Sequence, residues 1–442
     1  MSFSNILSKI DRRTFLRIIS FTGATGLIYP DHLFSHLVNS QNSRVVIVTD
    51  DSVTNGLTIN ESAVQAMLDA SIKALTQIND LGEAWKSIFP DIDLNKTIVI
   101  KVNCINSSMS THPAVTYAVA NSLQNIILDS VSFPANNVII YDRTNGELSS
   151  AGYTINTGNT GIRCFGTNQS GVGYGSQSYS VNGISQRIST ICETMANYLI
   201  NISVLKNHGT SGVTLCMKNH YGTCRSPGSL HGNYGDPYIP ALNALPVISG
   251  KHVLHICDAI FGIISGGPSG SPQISPNKII MSQDIVAADY WGREILSQNG
   301  CSTINRATHV DTAANSPYNL GTNKTSEMEV INIENPSTSI GDQNDPLKVP
   351  DQFMLQQNFP NPFNSSTQIK FYLTQYAHIR VEIFDSHGHS IKTLLNKEIP
   401  NGWHQIQWQG FNSTGTPVAS GIYICRLSAG SHHKSIIMQL MK

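Results

Sequence analysis

From residue 44 to about residue 320 the chain alternates two hydrophobic patterns. Residues 44–49, 96–103 and 137–142 are apolar runs of strand length with no polar alternation. Residues 61–78 and 113–128 carry apolar positions at helical spacing. Asn60 stands as a predicted N-cap of the first helix, and Thr111-His112-Pro113 opens the second. Strands buried on both faces and separated by amphipathic helices predict an α/β domain with a mostly parallel sheet. Residues 353–442 follow a different rule. Period-two alternation over 368–373, 379–384 and 420–427, with turn residues at 385–388 and 412–415, predicts an antiparallel β-sandwich. Between the two lies a stretch rich in Asn, Ser, Thr and Pro, 321–352, read as a linker with one strand at 327–333 closing the larger domain. The domains expected are therefore 1–40, 44–320 and 353–442, joined by that linker.

In a parallel sheet the ligand site lies beyond the carboxyl ends of the strands, so the polar residues there are the candidates. Lys101 and Asn103 end one strand, Asp142 ends the next, and Thr111 starts the following helix. The densest chemistry follows the apolar run 198–205: Lys206-Asn207-His208-Gly209, then Gly212-Val213-Thr214, then Lys218-Asn219. The pattern predicts a strand, a glycine-rich turn and a helix start, where free N–H groups and ammonium groups converge on an anion. Lys206, Lys218 and Lys101 are the candidate catalytic residues, with a desolvated lysine as base. Asn103, Thr111, Asn219, Asp142 and Asp284 are the candidate ligand-binding residues. Asp142 equally reads as a turn former and Asp284 as a helix N-cap. His208 and His231, with Asp258 or Asp289 as oxygen donor, suit a transition metal such as zinc or nickel. Residues 146–188, rich in Gly, Ser, Asn and Thr, receive no role beyond that of a cover over the site.

Composition narrows the classes. A net charge of −1 in 442 residues gives no basic footprint, so no nucleic-acid partner is expected. Only 13% of residues are charged, which with abundant Asn, Ser, Thr and Gly reads as an exported protein with a neutral polar surface. The eight cysteines form no Cys-x-x-Cys pair and read mostly as small buried residues.

The segment from Lys206 to Asn219 resembles the signature of the family catalogued as domain of unknown function 362. Lys101-x-Asn103, the Thr-x-Pro helix start and the acidic strand end at Asp142 are similar to its N-terminal half. Cys257-Asp258-Ala259-Ile260-Phe261-Gly262 with Gly266-Gly267-Pro268, and then 282–289, resemble its later motifs in the same order. Many members carry an iron–sulfur ferredoxin module; its clustered cysteines are absent, so no iron–sulfur cluster is expected. The lysine-rich glycine segment followed by a histidine is also similar, at fold level, to nickel-pincer lactate racemases. Residues 353–442, opening with Asn358-Phe359-Pro360-Asn361-Pro362-Phe363-Asn364, resemble the C-terminal sorting domain of type IX secretion. That domain shares its immunoglobulin-like sandwich with flagellar hook-capping proteins. At the other end, Asp11-Arg12-Arg13-Thr14-Phe15-Leu16-Arg17 and the short apolar stretch 18–29 resemble a twin-arginine export signal, with an ordinary Sec signal as the alternative. These resemblances imply a secreted or cell-surface protein of a Gram-negative-type envelope, handled by export and type IX secretion machinery, that takes a small anionic ligand. The competing classes are a non-catalytic surface protein binding a ligand or glycan, and a redox accessory without its ferredoxin module.

Overall fold

The computed structural model describes residues 42–336, 353–355, 358, 361, 363–373, 377–385, 388–400, 402–429 and 432–441. The export-signal reading of 1–40 lies outside them. The chain divides into two compact units, with the division in sequence at 339/340.

The larger unit is built on one nine-stranded sheet. Its strands are β1 (Ser43–Thr49), β2 (Ile98–Lys101), β3 (Val138–Tyr141), β4 (Arg163–Cys164), β5 (Tyr198–His208), β6 (Gly212–Thr214), β7 (His252–Ile263), β8 (Lys278–Ser282) and β9 (Met328–Glu334). Their order is β9-β1-β8-β7-β5-β2-β3-β4, with β6 paired to β5. The run β7-β5-β2-β3-β4 is parallel throughout. β8 runs antiparallel to both β1 and β7, so the sheet is mixed. β9, inside the stretch read as a linker, pairs in parallel with β1. Every residue of β5 except its last is buried, because both faces of the sheet are covered.

The helices begin close to the sequence expectation and end earlier. Helix α1 (Glu61–Thr76) is capped by Asn60, whose Oδ1 accepts the N–H groups of Ser62 and Ala63 at 3.2 and 3.3 Å. It stops because Gln77 turns left-handed at φ 60°. Helix α2 (Pro113–Ser122) ends well before residue 128, where the chain tightens into a 3-10 turn over Leu123–Asn125. Three further helices frame the site: α3 (Cys216–Asn219), α4 (Ile285–Gln298) and α5 (His309–Ala314). All eight cysteines are buried and free. Among the described residues no helix is long and apolar enough to cross a membrane.

The smaller unit has two antiparallel sheets. One joins β10 (Phe353–Leu355), β11 (Thr367–Leu373) and β14 (Gly402–Trp408); the other orders β13 (Ser390–Ile399), β12 (Ala377–Asp385), β15 (Gly421–Ala429) and β16 (His432–Leu440). Ile369, Phe371 and Leu373 of one sheet share a core with Ile379, Val381, Ile383, Cys425 and Leu427 of the other. Trp408 is fully buried at its centre, 5.1 Å from the Tyr423 ring, and donates its indole N–H to Phe411 O at 3.0 Å.

Candidate functional site

The polar residues that end β2, β3 and β5 gather into one buried network. Register places Lys101 beside Asn201 of β5 and Tyr141 of β3. The Lys101 ammonium donates to Asp142 Oδ1 at 2.8 Å, to Asn219 Oδ1 at 3.2 Å and to Val102 O. Asp142 also accepts the N–H groups of Cys104 (2.6 Å) and Arg143 (2.9 Å). The lysine–aspartate pair is thus buried with its remaining hydrogen-bonding capacity largely used. Gly222 lies directly over it: a Cβ there would come 2.7 Å from Asp142 Oδ1 and 2.8 Å from Lys101 Nζ.

Asn219 ties this pair to the next strand, donating to Asn201 Oδ1 at 2.8 Å and to Ile202 O at 3.3 Å. Its Oδ1 also accepts from Asn103 Nδ2 at 3.3 Å. Thr111 closes the loop after β2. Its hydroxyl accepts the Asn103 N–H at 2.9 Å and donates to Ile202 O at 3.0 Å. Asn103 is thereby fixed so that its Oδ1 receives the Lys206 ammonium at 2.8 Å.

Lys206 and Lys218 are placed differently from Lys101. Lys206 is fully buried, and its hydrogen bonds go to two neutral oxygens, Asn103 Oδ1 and Met109 O at 3.1 Å. Burial pushes its pKa down to about 8. Lys218, 6% exposed, lies 3.0 Å from His231 Nε2 and 3.3 Å from the centroid of the Tyr221 ring. Burial brings it to about 7. His231 Nδ1 stands 3.0 Å from Pro227 O, so that nitrogen carries the proton and Nε2 accepts from the lysine. The His208 ring stacks on His231 at 5.6 Å. His208 Nδ1 accepts the N–H groups of Thr210 and Ser211 at 3.1 and 3.2 Å, which leaves its proton on Nε2. Burial, then Lys218, holds its pKa at about 3.

The glycine-rich segment is a hairpin, not a strand-to-helix turn. β5 runs on through His208, and residues 209–211 return the chain as β6, with Lys206 opposite Thr214 and His208 opposite Gly212. Gly266-Gly267-Pro268 docks against it: Gly267 N–H donates to Asn207 Oδ1 at 2.8 Å and Gly267 O accepts Gly209 N–H at 3.0 Å. A Cβ at Gly267 would meet Asn207 O at 2.1 Å, so only glycine fits. The first N–H groups of α3, expected to be free for an anion, are taken by Asp289, which accepts from Cys216 at 2.7 Å and Met217 at 3.0 Å. The cationic groups offered here are side-chain ammonium, not open backbone.

Of the four residues expected to share a metal, His208 and His231 stack on each other, while Asp258 and Asp289 are hydrogen-bonded elsewhere. Asp258 is bound to His112, through Nδ1 at 2.7 Å and the backbone N–H at 2.9 Å. Asp289 is occupied under α3, and the His231 nitrogen that faces inward faces an ammonium group. Among the described residues no group of three or more His, Cys, Asp or Glu side chains is arranged to hold a metal ion. Asp284 also stands apart from the lysines. It caps α4, accepting from Val286 and Ala287, and accepts from Ser43 Oγ and Thr322 N–H as well.

Three participants escaped the sequence reading: Asn201, the Tyr221 ring and Gly222. Each sits in an apolar or short-helix context with no local signal of its task. Residues 146–188 hold a hairpin at Tyr179–Val181 and Ile184–Gln186. Its Gln186 donates to Ser226 O at 3.0 Å and Ser229 Oγ at 2.8 Å, bracing the loop that carries His231. A surface depression of about 250 Å³ lined by Arg293, Glu294, Thr308 and Asp311 contains none of the lysines.

Residues 98–294 match the family model described as Domain of unknown function (DUF362), and residues 360–432 match the FlgD Ig-like domain. No curated protein matches the chain. Among solved structures, PorZ of the type-IX secretion system of Porphyromonas gingivalis is 20% identical over 21% of this chain and 12% of its own, with a TM-score of 0.16. FlgD from P. aeruginosa is 17% identical over 17% of this chain and 57% of its own, at a TM-score of 0.14. A Thermotoga maritima protein is 10% identical over 55% of this chain and 60% of its own, at 0.34. The chain spans less than two thirds of the length of each.

Proposed function

We propose that the larger unit binds a small anion between Lys206 and Lys218 and uses the site for proton transfer, on a protein delivered to the cell surface. One observation carries the reading. Two ammonium groups are buried with neutral hydrogen-bond partners only, Asp142 acting on Lys206 from a distance, while the neighbouring Lys101 is bonded to that carboxylate directly. An uncompensated buried cation is costly, and a bound anion offsets that cost. A lysine near neutrality, held against a neutral imidazole, is suited to accept a proton from a ligand bound beside it. His208 Nε2–H is a neutral donor for the same ligand.

The test is calorimetric titration of small carboxylates and phosphates into wild type, Lys206→Met and Lys218→Met. Saturable binding in wild type, weakened at least tenfold in both variants with the fold intact, is expected. Equal binding in all three proteins rules the pocket out.

Delivery rests on the smaller unit. Its motif at 358–364, its paired antiparallel sheets and the FlgD Ig-like match support an immunoglobulin-like sorting domain read by type IX secretion machinery. Deleting residues 353–442 is expected to strand the protein in the periplasm; unchanged surface delivery would refute the assignment. Replacing Arg12 and Arg13 with lysine tests the twin-arginine reading in the same assay, with continued export as the refuting result.

A further inference from the structure

Two buried polar side chains beside the lysines have no partner in the fold. Thr214 Oγ1, in a residue 3% exposed, makes no hydrogen bond, and neither do the two ring nitrogens of His309, which is fully buried. Leaving such groups unsatisfied is costly, so they call for an explanation. In the loop and helix around His309, Thr308 and Thr312 both donate to Asp236 Oδ2, at 2.7 and 2.8 Å, while Asp236 Oδ1 is itself buried without a partner.

Their positions supply that explanation. Thr214 lies directly opposite Lys206 in the β5–β6 ladder, and opposed residues in an antiparallel pair share a face. By the period of two, His208 lies on that face as well. His309 opens α5, and the loop before it presses on the same hairpin, where a Cβ at Gly212 would come 2.5 Å from Ala307 N. His309 is close enough to Lys218 for the ammonium to oppose its protonation, and His309 in turn acts on His208.

The donors assembled here are two ammonium groups, the His208 Nε2–H, the Thr214 hydroxyl and a His309 N–H. None of them is hydrogen-bonded to a carboxylate; Asp142 and Asp311 act on Lys206 and His309 only from a distance. A carboxylate ligand brings one charge and two oxygens. A phosphate monoester brings about −1.5 to −2 and three acceptor oxygens. Two lysine charges and three neutral donors match the second in both charge and number.

We propose that Thr214 and His309 complete the Lys206–Lys218 pocket into a site for a doubly charged phosphoryl group, that of a phosphate monoester. The inference rests on the anion pocket proposed above and specifies its ligand class.

The experiment titrates inorganic phosphate, methyl phosphate and acetate into the full chain, as wild type, Thr214→Val and His309→Phe. Wild type is expected to bind both phosphates at least tenfold more tightly than acetate. Each variant is expected to lose on the order of tenfold in phosphate affinity with acetate unchanged. Methyl phosphate bound at least as well as inorganic phosphate marks a monoester site; exclusion of methyl phosphate overturns that part. If acetate matches phosphate, or both variants bind phosphate as wild type does, the phosphoryl assignment falls and the anion pocket stands. If wild type binds none of the three, both fall. Thr214→Val preserves shape, so it decides the question should His309→Phe fail to fold.

Discussion

Lys218 Nζ and His231 Nε2 stand 3.0 Å apart, and the direction of that hydrogen bond is set from outside the pair. Pro227 O holds the imidazole proton on Nδ1, so Nε2 can only accept. The pair therefore carries one positive charge, on the lysine, and that charge is lost near neutral pH.

Anion affinity should follow that titration. Acetate keeps a single charge throughout the neutral and alkaline range, so any change in its affinity there reports the protein. Lysine is charged below its pKa, hence acetate binding is expected to be strong below pH 7. It should weaken by up to tenfold per pH unit above about 7, as Lys218 loses its proton. In Lys218→Met the residual binding should fall later, near pH 8, because Lys206 is the lysine left to titrate. A pH-independent affinity from 6 to 9 would contradict the assignment of either lysine as the anion's partner.

Lys101 and Lys218 should respond oppositely to the same substitution. Lys101→Met strands the Asp142 carboxylate in a buried site, which typically costs about 3–5 kcal/mol. Lys218→Met removes a buried charge whose partners are a neutral ring nitrogen and a π face, and its stability should stay within about 1 kcal/mol of wild type. Urea unfolding of the larger unit compares them. A large loss in Lys218→Met would make that lysine a structural element instead of a ligand group.

This contrast marks where sequence reading stops. The central sheet was legible because 44–49, 96–103 and 137–142 carry no alternation, and Asn60 announced its helix. The antiparallel β8 was not, since its three apolar residues between Lys278 and Ser282 read the same in either direction. The lysines could be picked out, but Lys101 meets Asp142 across 41 residues and Lys206 meets Asn103 across 103. Nothing local says which lysine receives a carboxylate. Strand-end and helix-start aspartates such as Asp258 and Asp289 look alike in sequence whatever they bind. Their partners, His112 and the Cys216 and Met217 N–H groups, lie 146, 73 and 72 residues away.

Gly222 gives the lysine–aspartate pair its space, and alanine should remove it. The added carbon would sit inside van der Waals contact with Asp142 Oδ1, Lys101 Nζ and Lys101 Cε. Gly222→Ala is expected to lower stability by about 1–3 kcal/mol through forced displacement of a packed group. Gly228→Ala, where an added Cβ meets nothing within 4 Å, serves as control and should stay within about 0.5 kcal/mol. Equal stability of the two variants would mean that the network yields without cost.

A second consequence concerns acid. Buried His220 and His255 flank the half-buried His252, with ring centroids 4.8 and 4.7 Å apart along the chain of contacts. His220 Nε2 and His252 Nε2 lie 2.9 Å apart, so one of the two must be an unprotonated acceptor. Burial, then the neighbouring His252, holds His255 well below its ordinary value near 6.5. The sign follows from proton counts. Below pH 6.5 the unfolded chain binds a proton at this residue and the folded protein does not, so stability falls as pH drops. His255→Leu removes that difference and should flatten the dependence as pH falls below 6, by at most about 1.4 kcal/mol per pH unit. Urea midpoints with a constant m-value, collected across that range, make the comparison. A slope unchanged from wild type would mean that His255 is protonated in the native protein, and the cluster would then have to be held together by a counter-charge.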